Sequence, residues 1–569
     1  MTAIARRVRM PQVSVLLAWC AVIWVTVFWR LGYISLLDPD EAHYAELTRE
    51  MIRARQWLVP TLEGVPFIDK PVLYHWLQAA AEWLFGENEF ALRLPSALAA
   101  VSLIWAVGWM GRHFADRPSG NRAALFFATT PLTFALSSIG VFDMLYTAFL
   151  FGSIGSLLVA SAQGRPRLEY VGWPLLSLAV MTKGPVAVLL VLLFGVALSA
   201  RRGTRPIVTG LHWRLGLSFV VLVASPWFLY MAVTFGDRFI RDYVLAGNLY
   251  YFTRPAAFSS RNSDVFFYLR TYLGGCFPWS VLVLAAAVDA RLTRRASSPI
   301  EQALWTWIAL ILVCFSVAGF KLDTYIYPAA PATCLLLALA WRTDIGTVPR
   351  AFSTATMLGL RCIAAILVLA GALLAATMFD IDLGLSPLAL LLPGALIGGG
   401  IALAALLQRG LTSAVPAVLV GTLVAAYGVV VVEGLPVLER SRPTAPLGHW
   451  ISRHTPTDEP LGVFGLDDWR GSIRFYSRRK LVVLHDASEV RNFAANHPES
   501  FTLMLARDYR RLLASGVPLR THGGRRAIVG RSGKFIRRQL WGRIVVVSAR
   551  AAGDLRVADA AIDDDLTEN

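Results

Sequence analysis

At 569 residues, 56% hydrophobic and 16% charged, with a mean hydropathy of +0.54, the chain is too apolar for the surface a water-soluble globule must expose. A formal charge of +16 would suit a nucleic-acid binder, but the basic residues fall in short clusters between apolar runs, so no nucleic-acid partner is expected. The five cysteines, Cys20, Cys276, Cys314, Cys334 and Cys362, sit in or beside apolar runs without paired ligand spacing, which supports neither a disulfide framework nor a structural zinc.

Apolar runs recur from Val13 to Val432. By the roughly 20 residues needed to cross hydrocarbon, about thirteen are candidate spans. The first run is too long for a cleaved signal and has no small-residue cleavage site before Asp38, so it reads as a retained span. Arginine clusters at Arg6, Arg7 and Arg9, at Arg112, Arg117 and Arg122, at Arg201, Arg202, Arg205 and Arg214, and at Arg291, Arg294 and Arg295 mark inner loops by the positive-inside rule. The remaining loops then face outward: residues 38–90, the corners at Asp143, Lys183 and Lys321, and residues 235–264. Within the first of these, 72–86 (VLYHWLQAAAEWLFG) is apolar but too short to span and carries His75, Gln78 and Glu82, as an interfacial helix would. Lys183-Gly184-Pro185 should break 168–200 into two spans, because a lone lysine in hydrocarbon costs about 2.5 to 3.5 kcal/mol and proline disrupts a helix interior.

Composition changes near Glu433. Residues 1–433 form the membrane part. Residues 434–569 read as a small outer α/β domain, with LGVF, KLVVL, FTLML and RIVVV as strands and an acidic tail after Asp554 expected to be disordered. No internal repeat is visible.

The chemistry concentrates in the outer loops. In LLDPDEAHYAE, residues 36–46, Asp38 suits an N-cap, Pro39 the first helical position and Glu41 the third, while Asp40 suits the helix dipole or a catalytic role. FIDKP pairs Asp69 with Lys70, which by itself describes a surface ion pair. Asp143, Lys183 and Lys321 stand at span ends, where capping and snorkelling are ordinary fates. Arg238, Arg241, Arg254 and Arg261 lie among Tyr243, Tyr250, Tyr251 and Phe252, a mixture that suits phosphate and headgroups or simply an aromatic belt. Gathered on one face, these groups suit an anionic, phosphate-bearing substrate at the lipid surface. A transporter would place polar groups near the midplane and often shows inverted repeats, so it stands second. A ligand sensor anchored by its spans stands third.

DPDEAHYAELTREM, WLVPTLEGVPFIDKPVLYHW, MTKGP and KLDTYIYP, in that order, resemble the successive signatures of the aminoarabinose (lipid A) transferase and protein O-mannosyltransferase-related superfamily, integral-membrane glycosyltransferases of the GT-C fold. The resemblance implies a polytopic α-helical bundle with outer juxtamembrane helices, in a bacterial inner membrane with its site facing the periplasm. It implies a polyprenyl (undecaprenyl) phosphate sugar donor, an outer-face acceptor of lipid A type or another envelope lipid, with transfer to protein Ser/Thr as the alternative, and inversion. By motif, Asp40 matches the catalytic first-loop acid and Asp143 the second functional acid, with Lys70 as leaving-group clamp. Glu41, Tyr44, Lys183, Arg254, Lys321 and Tyr325 would bind substrate. Asp69 stands where the family usually has glutamate, and any divalent cation would be held there; no other cofactor is implied.

Overall fold

The computed structural model describes residues 12–250, 264–294, 296–341, 353–378, 384–528 and 541–549. Arg254, Arg261, Tyr251, Phe252, the arginines before residue 12, Arg295 and the acidic tail lie outside them.

Among the described residues, seven helices are long and apolar enough to cross a membrane. Helices Phe267–Gly275 and Trp279–Leu292 could form an eighth span bent by 105°, at a break that contains Pro278, whose missing N–H cannot continue the ladder. The protein is a multi-pass membrane protein. The sequence count of about thirteen is higher because several apolar runs fold as shorter helices: Glu169–Lys183 has 15 residues, Val186–Ser199 has 14 and Ala330–Ala340 has 11. The expected break is present, with Lys183 ending one helix and Gly184 at φ +98°, a conformation natural only to glycine.

Helix Phe142–Ala162 is apolar on all sides and buried along most of its length, in the middle of the membrane part. The long loop after the first apolar helix forms helix Asp40–Ala54, a two-strand hairpin (β1, Thr61–Leu62; β2, Val65–Pro66) and helix Leu73–Phe85. The last of these buries Tyr74, His75, Gln78 and Glu82 and leaves Trp83, Leu84 and Phe85 exposed, the division expected of a helix lying on a lipid surface. Asn88 then caps the 26-residue helix Glu89–Phe114 by accepting from the Ala91 amide at 2.9 Å.

Toward the C-terminus, five strands form a mixed sheet in the order β4-β3-β5-β7-β6: β3 (Leu461–Phe464), β4 (Leu481–Leu484), β5 (Thr502–Leu505), β6 (Arg520–Ile528) and β7 (Trp541–Ser548). β3 pairs in parallel with β4 and β5, and β7 runs antiparallel to β5 and β6. Helix Arg470–Ser477 connects β3 to β4 and packs Phe475 and Tyr476 against Leu36, Ala42 and Ala45 of the long loop.

Candidate active site

Helix Asp40–Ala54 starts with two acids and carries Arg53 in its last turn, so its charges oppose the backbone dipole at both ends. Pro39, not Asp38, precedes its first residue, and no side chain caps it. The capping expectation for Asp38 is therefore corrected. Its carboxylate accepts from the Ser472 amide at 2.7 Å and from the Ser472 hydroxyl, with Arg442 at 3.5 Å. A distant partner outbid the local cap.

Asp40 and Glu41 have opposite surroundings. Glu41 is 1% exposed. It accepts from Arg93 through Nε at 2.7 Å and Nη2 at 2.8 Å, from the Leu37 amide at 2.7 Å and from the Gly140 amide at 2.6 Å. These bonds, led by the Arg93 charge, outweigh burial and hold its carboxyl below the usual glutamate range. Substrate binding by Glu41 is corrected to a scaffold role, since both oxygens are occupied. Asp40 is exposed near a cleft whose lining residues Asp143, Lys183 and Lys70 act on its charge, yet protein atoms crowd it. Burial and then the like charge of Asp143 push its carboxyl up, against Lys183 and Lys70.

The cleft is open to solvent, and the space within it, solvent included, is about 660 Å³. Lys70, Asp143, Tyr146, Lys183, Phe320 and Tyr325 are among the residues that line it. Asp143, in the first turn of helix Phe142–Ala162, accepts from Lys183 Nζ at 2.6 Å. That ammonium also stands 4.5 Å from the Tyr325 ring centroid and 5.5 Å from that of Tyr146, within cation–π range. Lys183 is thus fixed at the cleft and does not snorkel. Lys70 Nζ donates to Asp69 Oδ2 at 2.8 Å. Lys321, 7% exposed, donates to the Ser316 carbonyl at 2.7 Å beside the Tyr268 ring. Tyr44 stacks edge-on against Phe142 at 4.4 Å. Burial and the charges of Asp40, Asp69 and Asp143 keep its hydroxyl protonated, so it remains a donor.

Among the described residues, no three histidine, cysteine, aspartate or glutamate side chains are grouped to hold a metal ion. Asp69 and Asp143 each hold a lysine, and that donor set does not fit a metal at Asp69. The structure thus gathers Asp40, Asp69, Lys70, Asp143, Lys183 and Tyr325 and directs Glu41 elsewhere. Sequence reasoning passed over Arg93, although a charge inside the apolar run ALRLPSALAA is a signal. It also passed over Tyr146, Arg442 and Ser472, which carry no such signal.

Comparison with known proteins places this arrangement in context. Residues 69–230 match the model of the dolichyl-phosphate-mannose-protein mannosyltransferase family. The chain is 30% identical over 325 residues to the undecaprenyl phosphate-alpha-4-amino-4-deoxy-L-arabinose arabinosyl transferase of Pectobacterium carotovorum, covering 55% of this chain and 56% of that protein. It is 31% identical over 335 residues to a transferase of the same name from Sodalis glossinidius, covering 55% and 57%. The chain therefore spans little more than half the length of these relatives in the match. The crystal structure of ArnT from Cupriavidus metallidurans bound to undecaprenyl phosphate superposes with a TM-score of 0.70 at 22% identity, covering 95% of this chain and 98% of that one. The Archaeoglobus fulgidus oligosaccharyltransferase superposes at 0.52 with 14% identity, covering 88% and 70%. The fold is that of ArnT, the GT-C membrane fold.

Proposed function

We propose that this chain is an integral-membrane glycosyltransferase that moves a sugar from a polyprenyl phosphate, of the undecaprenyl type, to an acceptor at the outer face of a bacterial inner membrane. The acceptor class that fits best is an envelope glycolipid of lipid A type. The observation that carries this reading is the cleft in which Lys70, Asp143, Lys183 and Tyr325 meet, with Asp40 within reach of their charges, on a fold shared with ArnT along nearly the whole chain. In this reading residues 1–433 are the membrane part, the shorter apolar helices complete crossings toward the thirteen expected, and residues 434–569 form an outer domain.

The chemistry follows from the charges. The acceptor oxygen attacks the anomeric carbon, the bond from that carbon to the carrier's phosphate oxygen breaks, and the electron pair leaves on the phosphate. Attack from the face opposite the leaving group inverts the centre. Lys70 and Lys183 offset the charge growing on the phosphate, and Asp143 and the aromatic rings hold Lys183 where that charge appears. Asp40 orients the acceptor and, where this is a hydroxyl, takes its proton. A phosphate acceptor is already anionic and needs only orientation. Arg254 would join the phosphate-binding set.

Mass spectrometry of envelope lipids and proteins from cells with and without the chain tests this reading. A sugar-sized increment on a glycolipid, absent without the chain and absent with Asp40→Asn, is expected. An increment confined to protein Ser/Thr would move the acceptor to protein. Unchanged glycoconjugates would overturn transfer and favour transport.

A further inference from the structure

The segment leading to Asp40, residues 34–38, has no regular secondary structure, so it cannot position itself through a backbone ladder. Its polar groups are held by side chains from both ends of the sequence. Arg93 donates to the carbonyls of Ile34 at 2.7 Å and Ser35 at 3.2 Å. From near the C-terminus, Glu439 accepts from the Ser35 amide at 2.6 Å, Tyr476 Oη accepts from the Leu36 amide at 2.7 Å, and Arg442 donates to the Leu36 carbonyl at 2.5 Å. Ser472 holds Asp38 through its amide and its hydroxyl. Leu36, Ala42 and Ala45 share one buried cluster with Ala445, Phe475 and Tyr476. Gly471 permits the close approach, since a Cβ there would stand 3.0 Å from Asp38 Oδ1 and 3.2 Å from the Ala42 Cβ.

We propose that Ser472, Gly471 and Arg442 form a positioning clamp for Asp40, through which the C-terminal segment sets where the reacting carboxylate stands. A contact serving stability alone could lie anywhere along the outer loop. The same C-terminal segment also bonds Arg49, Glu63, Glu87 and Glu89, and those contacts serve to dock it; the bonds to Ser35, Leu36 and Asp38 are the set that fixes the backbone immediately before Asp40. The clamp rests on the reading of Asp40 as the reacting carboxylate. The groups facing that carboxylate are Asp143 and Lys183 from two membrane helices, Lys70 and Asp69 from the loop after the hairpin, and Tyr44 from its own helix.

The test uses the full chain in lipid nanodiscs, with Ser472→Ala, Ser472→Thr and Gly471→Ala. Transfer kinetics, undecaprenyl phosphate binding and hydrogen exchange of residues 36–46 are measured. Ser472→Ala is expected to lower kcat by about 10- to 100-fold, as misplacement of a reacting group does. Donor KM and undecaprenyl phosphate affinity should stay within about twofold, exchange in 36–46 should rise, and the acid limb of the pH profile should move to lower pH as water reaches Asp40. Ser472→Thr keeps the hydroxyl and should restore kcat. Gly471→Ala keeps every hydrogen bond but crowds Asp38, and should also lower kcat. Unchanged exchange in Ser472→Ala, or a loss of folded protein with kcat per folded molecule intact, would overturn the clamp. A wild-type chain that transfers no sugar would overturn the function, and the exchange measurement would still decide whether the clamp holds 36–46.

Discussion

Asp40 and Glu41 are adjacent in sequence and begin the same helix, yet one faces a cleft and the other a sealed scaffold. Glu41 accepts four hydrogen bonds, and its buried carboxyl is held below the ordinary range. Asp40 keeps contact with water and a carboxyl pushed up by burial and by Asp143. A rotation of about 100° per helical residue separates the two faces. The lesson is that acidity here follows hydrogen-bond supply and not depth alone: the more deeply buried carboxylate is the one held below its ordinary range, because amides and a guanidinium surround it.

Exchanging the two faces is the strongest test of that contrast. Asp40→Asn should lower transfer by about 10²- to 10⁴-fold while thermal unfolding in detergent stays at the wild-type temperature. Arg93→Ala should act first on stability. It strips the ion pair from Glu41 and leaves the Ile34 and Ser35 carbonyls without donors, and removing one partner of a buried pair costs about 3 to 5 kcal/mol. Its expected outcome is a lowered unfolding midpoint, with fully folded molecules still binding undecaprenyl phosphate. A stable Arg93→Ala or an unstable Asp40→Asn would erase the distinction between the faces.

How far the sequence could separate the faces is itself instructive. The break at Gly184 and four of the five strands of the C-terminal sheet followed from charge placement and apolar runs. β6 did not, because RTHGGRRAI has no such run and is a strand by its pairing with β7. The partners of Asp38 and Glu41 were equally hidden. Local capping rules favoured Asp38 as a cap, but Ser472 and Arg442 arrive from more than 400 positions away, and no local pattern encodes such a contact. The Asp143–Lys183 pair joins two span ends that sequence treats separately.

The effect of Asp143 on Asp40 gives a smaller and more specific test. Asp40 would act as the carboxylate, so transfer should fall as pH drops through its folded pKa, which burial and Asp143 raise. Asp143→Asn removes the like charge and releases Lys183 to favour ionised Asp40. The acid limb should therefore move to lower pH, alongside a loss of rate from misplacing Lys183. Kinetics across pH in nanodiscs measures both, and an unmoved limb would mean that another group controls it.

The smallest expected effect lies behind the catalytic helix, on helix Leu73–Phe85. Glu82 is 8% exposed, and burial, then repulsion from Glu87, push its carboxyl up to about 7. The folded state therefore holds a proton that the unfolded chain releases near 4.5, so stability falls as pH rises between those values. Glu82→Gln carries no charge to bury. It should match wild type below pH 4.5 and become more stable above pH 7, by on the order of 1 kcal/mol after screening, read as a higher unfolding midpoint in detergent. Glu41→Gln should show the opposite sign at neutral pH, because Glu41 is stabilised in its charged form by Arg93. Two glutamates facing the same outer layer then respond oppositely to loss of charge, and the deciding variable is whether a guanidinium and backbone amides meet the carboxylate.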